Sequence, residues 1–200
     1  MRRNCCGLLW LAVVCWSGFV WAAEQNAAAE QLALLLSRQQ VAVQQDIRWY
    51  LDDAEAYKTK YRAHFLAEDI EPETLDLLAV LKDTLQRHQA LVYVDWKAHA
   101  PDVLLMLDRI AGDQLAGLPQ CQAFRADAVR HAYGIHYYLA GEDKRQLLFQ
   151  CCRAAGLRLL ALDDGSDAYS LVLVNPQHSA AIAKHAASVG ISLVQWPHSD

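Results

Sequence analysis

The sequence predicts an α+β protein: a helical N-terminal arm followed by a ferredoxin-like β-α-(αα)-β-β-α-β domain with a four-stranded, mainly antiparallel sheet. Three observations predict it. Residues 24–89 carry helical periodicity throughout. From residue 90 short β-type runs alternate with helical stretches. Two of those runs flank a polar turn, Asp163-Asp164-Gly165-Ser166-Asp167, which is hairpin chemistry. At 200 residues and 54% apolar, the chain has the length for one domain with an appendage and enough apolar mass for a core. Its formal charge of -5 argues against a nucleic-acid binder, which would need a basic footprint.

The first element reads as a targeting segment. Arg2 and Arg3 precede 19 uncharged residues, 5–23, and Val20-Trp21-Ala22 offers a small-x-Ala cleavage signal. Residues 1–22 therefore read as a secretory signal peptide, placing the mature protein in the periplasm or outside the cell. The alternative is an inner-membrane anchor formed by residues 5–23, since about 20 apolar residues span a bilayer. Cys15 lacks the flanking pattern of a lipoprotein. Cleavage after Ala22 removes two arginines and no acid, so the mature charge falls to -7. It also removes three of the six cysteines and leaves Cys121, Cys151 and Cys152. Outside the cytosol an odd count allows one bridge and one leftover thiol. Cys151 and Cys152 are helical neighbours pointing in different directions, so the expected bridge joins Cys121 to one of them. The alternative is three small buried apolar residues.

The helical arm follows, over residues 24–89. Leu32, Leu35 and Leu36 open an apolar face. From Val43 a heptad-like seam continues through Ile47, Tyr50, Ala54, Tyr57, Tyr61 and His64. Such a seam packs against its own domain or faces a partner, because Tyr is enriched at interface hot spots. Glu71-Pro72-Glu73 opens a further helix with Leu75, Leu78, Leu81 and Leu85 on one face. Residues 46–76 hold nine acids and four bases, a net of -5, which is a solvated face or a lure for a basic partner. Tyr50, Tyr57, Tyr61, Asp52, Asp53 and Glu55 are the candidate binding residues.

The α/β domain, residues 90–200, begins with the run Leu91-Val92-Tyr93-Val94, ended by Asp95-Trp96-Lys97. A helix from Pro101 stops at Gly112; a helical pair over 123–139 and 142–155 is separated by Gly141 and stopped by Gly156. Strands at 157–162 and 169–174 form the hairpin. Asn175-Pro176 opens a helix ending at Gly190, and residues 191–196 close as a strand. Without the inserted pair this is the split βαβ order, with helices expected on one face of the sheet. The strand end Val94-Asp95-Trp96-Lys97 and the hairpin from Leu162 to Tyr169 resemble those of a bacterial family of domains of unknown function, over residues 90–196. That resemblance implies a shared fold and no activity.

The chemistry is mostly negative. The chain lacks a nucleophile elbow, a His-Glu-x-x-His helix, a phosphate loop and a dinucleotide fingerprint, so no cofactor is expected. Eight histidines invite a metal, but His131 and His136 stand five apart, awkward for one helical face. His178 and His185 share a face about 10 Å apart, too far for one ion. The hairpin acids lack a calcium loop's alternation and its final Glu, leaving turn chemistry as their role. Two readings remain. One is an exported, non-catalytic envelope protein, an inhibitor or immunity-like module that binds another protein, a basic one. The other is a small secreted hydrolase using Asp95 with His99 and the hairpin acids, Asp164 among them; it requires those groups to share a pocket.

Overall fold

Branched and aliphatic residues at alternating positions put one set of side chains on each face of a strand, and the runs near residues 91, 158 and 168 do so. In the computed structural model, which describes residues 7–140, 145–194 and 196, they form β1 (Leu91–Asp95), β2 (Arg158–Asp163) and β3 (Ala168–Val174), with a short β4 (Ser192–Leu193). The helices are α1 (Gly7–Leu36), α2 (Val41–Asp52), α3 (Ala54–Ala67), α4 (Leu77–Arg87), α5 (Ala100–Ala111), α6 (Pro119–His131), α7 (Ile135–Ala140), α8 (Arg145–Ala154) and α9 (Ser179–Ser188). The protein is α+β, with N-terminal helices and an antiparallel four-stranded sheet. Arg2, Arg3 and Gly141 lie outside the described residues.

The sheet order is β1-β3-β2-β4, and every neighbouring pair is antiparallel. The register is set by Tyr93 opposite Ser170 and Leu160 opposite Val172. The β4 pairing is confined to Leu162–Leu193 and Asp163–Ser192, much shorter than the strand expected over 191–196. Helices cover both faces rather than one. Val92, Val94, Leu159, Ala161, Leu171 and Leu173 face a core built with α5 to α8. Leu91, Leu160, Leu162, Val172 and Val174 face a second core built with α1 to α4 and α9. Strand order explains this. The β1-to-β2 and β3-to-β4 connections each join parallel strands, and such crossovers are right-handed. Both step in the same direction across the sheet, but β1 and β3 point oppositely, so α5 and α9 must lie on opposite faces.

The residues expected to form a separate arm are therefore one layer of the same domain. Leu32, Leu36, Val43 and Ile47 are fully buried in the second core, beneath the sheet residues Val172 and Val174. The helix expected from Pro72 is a single 3-10 turn there, and α4 begins after Asp76, whose carboxylate accepts from the Ala79 amide at 2.8 Å. The helix expected over 123–139 breaks at Ala132, which adopts φ 52°. The chain then returns to residues 96–99: Gly134 bridges His99, and the Ile135 amide donates to the Ala98 carbonyl at 2.7 Å. A Cβ on Gly134 would lie 3.1 Å from the Lys97 carbonyl oxygen, so a side chain there would press the two backbone segments apart by a few tenths of an ångström.

Candidate functional site

The principal polar site grows from α4. Val80, Leu81, Thr84 and Leu85 point into the second core, which carries Asp83 and Arg87 to its margin one helical turn apart. Arg87 Nε donates to Asp83 Oδ2 at 2.8 Å, and one terminal nitrogen donates to Asp46 Oδ2 at 3.2 Å. The other donates to the Tyr57 hydroxyl at 2.6 Å and to Thr84 Oγ1 at 3.2 Å. The guanidinium lies 4.1 Å from the Tyr61 ring centre, a cation–π contact. Burial works against the Arg87 charge, but Asp83 and its other neighbours outweigh this and raise its pKa. Burial also raises the Tyr57 pKa, against the opposing pull of Thr84 and Arg87, and keeps the hydroxyl neutral.

His64 of α3 completes the site, with Nε2 at 2.6 Å from Asp83 Oδ1. His64, Asp83 and Arg87 wall a cavity of about 490 Å³ with Ile70, Lys82 and Tyr93. Its volume falls within the small-ligand range. Both oxygens of Asp83 are taken, one by His64 and one by Arg87. None of the residues lining the cavity is Ser, Thr or Cys. The geometry suits holding an apolar group beside a few polar atoms.

The sequence-derived site residues separate into other roles. Tyr57 is fully buried, and Tyr50 and Tyr61 are half-buried, so the tyrosine seam packs against its own domain. The cause is a break at Asp53, with φ -152°, which ends α2 and starts α3. Folded back, α2 and α3 stack their rings: Trp49 and Tyr50 each lie 5.6 Å from Tyr57, which is 4.8 Å from Tyr61. Tyr50 donates to the Leu75 carbonyl at 3.2 Å. Asp52, Asp53 and Glu55 do face solvent; Asp53 caps α3 through the Ala56 amide at 3.0 Å, and Glu55 pairs with Lys58 at 3.4 Å.

Asp95, His99 and Asp164 are not gathered into one pocket. Asp95 accepts from the Lys97 amide at 2.7 Å. His99 pairs with Asp102 at 3.4 Å on the surface. Asp164 is bound by Lys82 and accepts from the Ser166 amide at 3.0 Å. Burial resists ionisation of Asp164, but Lys82 and Ser166 outweigh it and hold the carboxyl down at about 2. A general acid needs the reverse shift. None of the three lines the cavity beside α4. Cys121 and Cys151 form a disulfide that ties α6 to α8. Cys152 is a free buried thiol that burial pushes up to about 12, so it is inert as a nucleophile. Among the described residues no group of three His, Cys, Asp or Glu side chains is placed to hold a metal.

A family model described as Domain of unknown function (DUF6630) matches residues 28–197. The chain belongs to this family. No curated protein and no solved structure matches it. The DUF6630 match takes in α2 to α4 as well as the sheet, in keeping with the shared second core. It begins at Ala28, which is also the first buried residue among the described side chains.

Two features of this DUF6630 domain escaped the sequence reading. The Asp83–Arg87 network has a signal, since an acid and Thr84 interrupt the apolar face of α4 and Arg87 follows at i+4. Its partners Asp46, Tyr57 and His64 lie at least 19 residues away and carry none. The second feature is a ring cluster at the end of β1, where Trp96 lies 5.7 Å from His136. His136 Nδ1 is 2.5 Å from the Tyr169 hydroxyl. The Gly134 approach assembles it, and nothing local announces that contact.

Proposed function

We propose that this protein is exported to the bacterial envelope, where it acts as a non-catalytic binding protein of the inhibitor or immunity type with a basic protein as its partner. The observation that carries the proposal is the buried Cys121–Cys151 bridge, because disulfides persist in oxidising compartments and are rare in the cytosol. The leader pattern of residues 1–22 supports export as well. A cut after Ala22 falls before Ala28, where burial among the described side chains begins. Binding rather than catalysis is supported by the engagement of Asp83 with His64 and Arg87, one on each oxygen, and by a cavity wall that carries no Ser, Thr or Cys. A basic partner is supported by the net -5 of residues 46–76, with Asp52, Glu55, Glu71 and Glu73 exposed. One-sign surfaces speed association and select the partner by charge.

The test has two parts. Protein recovered from the native envelope should begin at Ala23, with Cys121 and Cys151 protected from alkylation until reduced. Recovery from the cytosol with an intact Met1 and reactive thiols overturns export, and an intact Met1 in the membrane fraction overturns cleavage in favour of an anchor. Binding to a basic envelope protein should weaken at least tenfold when Asp52, Glu55 and Glu71 are changed to Lys, and should weaken with added salt. Equal binding by the variant and the wild type overturns the acidic surface as the interface.

A further inference from the structure

Strand β1 is an edge of the sheet: its described partner is β3 alone, leaving the opposite row of backbone groups unpaired by another strand. Edge strands of this kind pair with other chains unless something covers or charges them. Here the central residue is Tyr93, 49% exposed, and the strand is followed immediately by the exposed Trp96. Helix α5 runs beside this edge. Its inward positions Val103, Leu104, Leu107, Ile110 and Ala111 are buried in the first core. Its outward stripe is Asp102, Leu105, Met106 and Arg109, spaced as one helical face, with Leu105 43% and Met106 41% exposed. Met106 and Arg109 share a groove of about 340 Å³ with Val92 and Tyr93, so the stripe borders the open strand edge.

We propose that this surface receives a second copy of the chain, related by a two-fold axis that passes beside Tyr93 and joins the two sheets through antiparallel β1 strands. The stripe on α5 is self-complementary under that operation. Antiparallel pairing of two copies about the midpoint between Leu105 and Met106 sets Leu105 against the partner copy's Met106. The same operation sets Asp102 against the partner copy's Arg109, twice. The arrangement is an apolar centre flanked by two opposite-charge pairs, as an isologous interface requires. In β1 it sets Tyr93 against its own counterpart and Val92 against Val94. One axis serves both elements because Tyr93 and Met106 line the same groove. Arg109 has no ion-pair partner among the described residues, and Asp102 has only the exposed His99 at 3.4 Å. Across the other face of the edge, Lys82 is neutralised by Asp164, so no bare like charges meet there.

Sedimentation equilibrium of the chain purified from its native envelope tests this, with circular dichroism as the folding control. Wild-type protein should dimerise. Asp102→Arg alone and Arg109→Asp alone should each weaken the dimer at least tenfold by placing like charges together. The double variant D102R/R109D should restore it, which misfolding cannot mimic. Met106→Glu should give a folded monomer. A wild-type protein that stays monomeric at every concentration overturns the proposal. So does a dimer unaffected by all four variants, and so does a double variant no tighter than the single ones.

Discussion

Arg87 and Asp164 are both charged residues at the margin of a core, and their settings differ. Arg87 is enclosed by Asp83, Asp46, Tyr57 and Thr84, so its donors are spent on fixing α2, α3 and α4 together. Truncating it would leave Asp83, whose side chain is 5% exposed, without its compensating cation. Asp164 is tied chiefly to one lysine at the tip of a hairpin. Its carboxyl is held at about 2 against an ordinary 3.8, so the ionised form is favoured by folding. That contribution is complete above about pH 4 and disappears as pH falls toward 2. After discounting for solvent screening it is about 1 kcal/mol. Asp164→Asn should therefore lower the urea midpoint relative to wild type at pH 6, with the two proteins converging near pH 2. A difference that persists unchanged at pH 2 would assign the loss to the turn instead of the ion pair.

At the scale of elements, the inserted helices α6, α7 and α8 sit on one face of the sheet with two ties. The Cys121–Cys151 bridge closes a 30-residue separation between α6 and α8. The Gly134 approach pins the start of α7 to the turn after β1. Between the two, Phe124 and Tyr138 pack 4.8 Å apart in the first core, and the Tyr138 hydroxyl donates to Asp127 at 2.9 Å. A crosslink over a loop of this length stabilises by about 2–4 kcal/mol, largely by restricting the unfolded chain. The double variant C121A/C151A should lose that much in urea denaturation, and reduction of the wild type should reproduce the loss. Cys152→Ala, which leaves the bridge intact, should lose as much stability on reduction as the wild type.

For the whole molecule, the sheet is the shared wall of two cores, and neither core closes without it. Residues 24–89 supply most of the second core, so a fragment of residues 90–200 would expose Leu160, Leu162, Val172 and Val174 to water. At about 25 cal/mol per Å² of apolar surface, baring one face of a sheet exceeds the net stability of a domain of this size. The fragment should accordingly fail to fold, giving no cooperative thermal transition and no dispersed amide spectrum. A folded fragment would show that the arm is a separate unit after all. The proposed export and the proposed dimerisation both involve this same body: a cut after Ala22 would fall before Ala28, the first buried residue among the described side chains, and the open β1 edge lies at the far side of the sheet from β4.

Much of this architecture is written in local pattern. The runs at β1, β2 and β3 are short, apolar and rich in Leu and Val, Gly112 sits at φ 75° where α5 ends, and the hairpin acids accept from nearby backbone amides. These features depend on neighbours within a few residues, which is the range over which a sequence states its preferences. The tyrosines of α2 and α3 show where that range ends. Their helical spacing is legible, but the direction of their face depends on a break at Asp53 and on the sheet they pack against. The same holds for the candidate sites. Asp95, His99 and Asp164 are each recognisable as polar residues at turns, and their separate partners are set by how β1, the hairpin and α4 come together. The sequence alone determined the α+β class, the order of the strands along the chain and the turn chemistry, because those follow from local backbone and solvation preferences. Only the tertiary structure decided that helices cover both faces, that Tyr57 is core and that His64, Asp83 and Arg87 share a cavity, because long-range packing chooses which face of each element is buried.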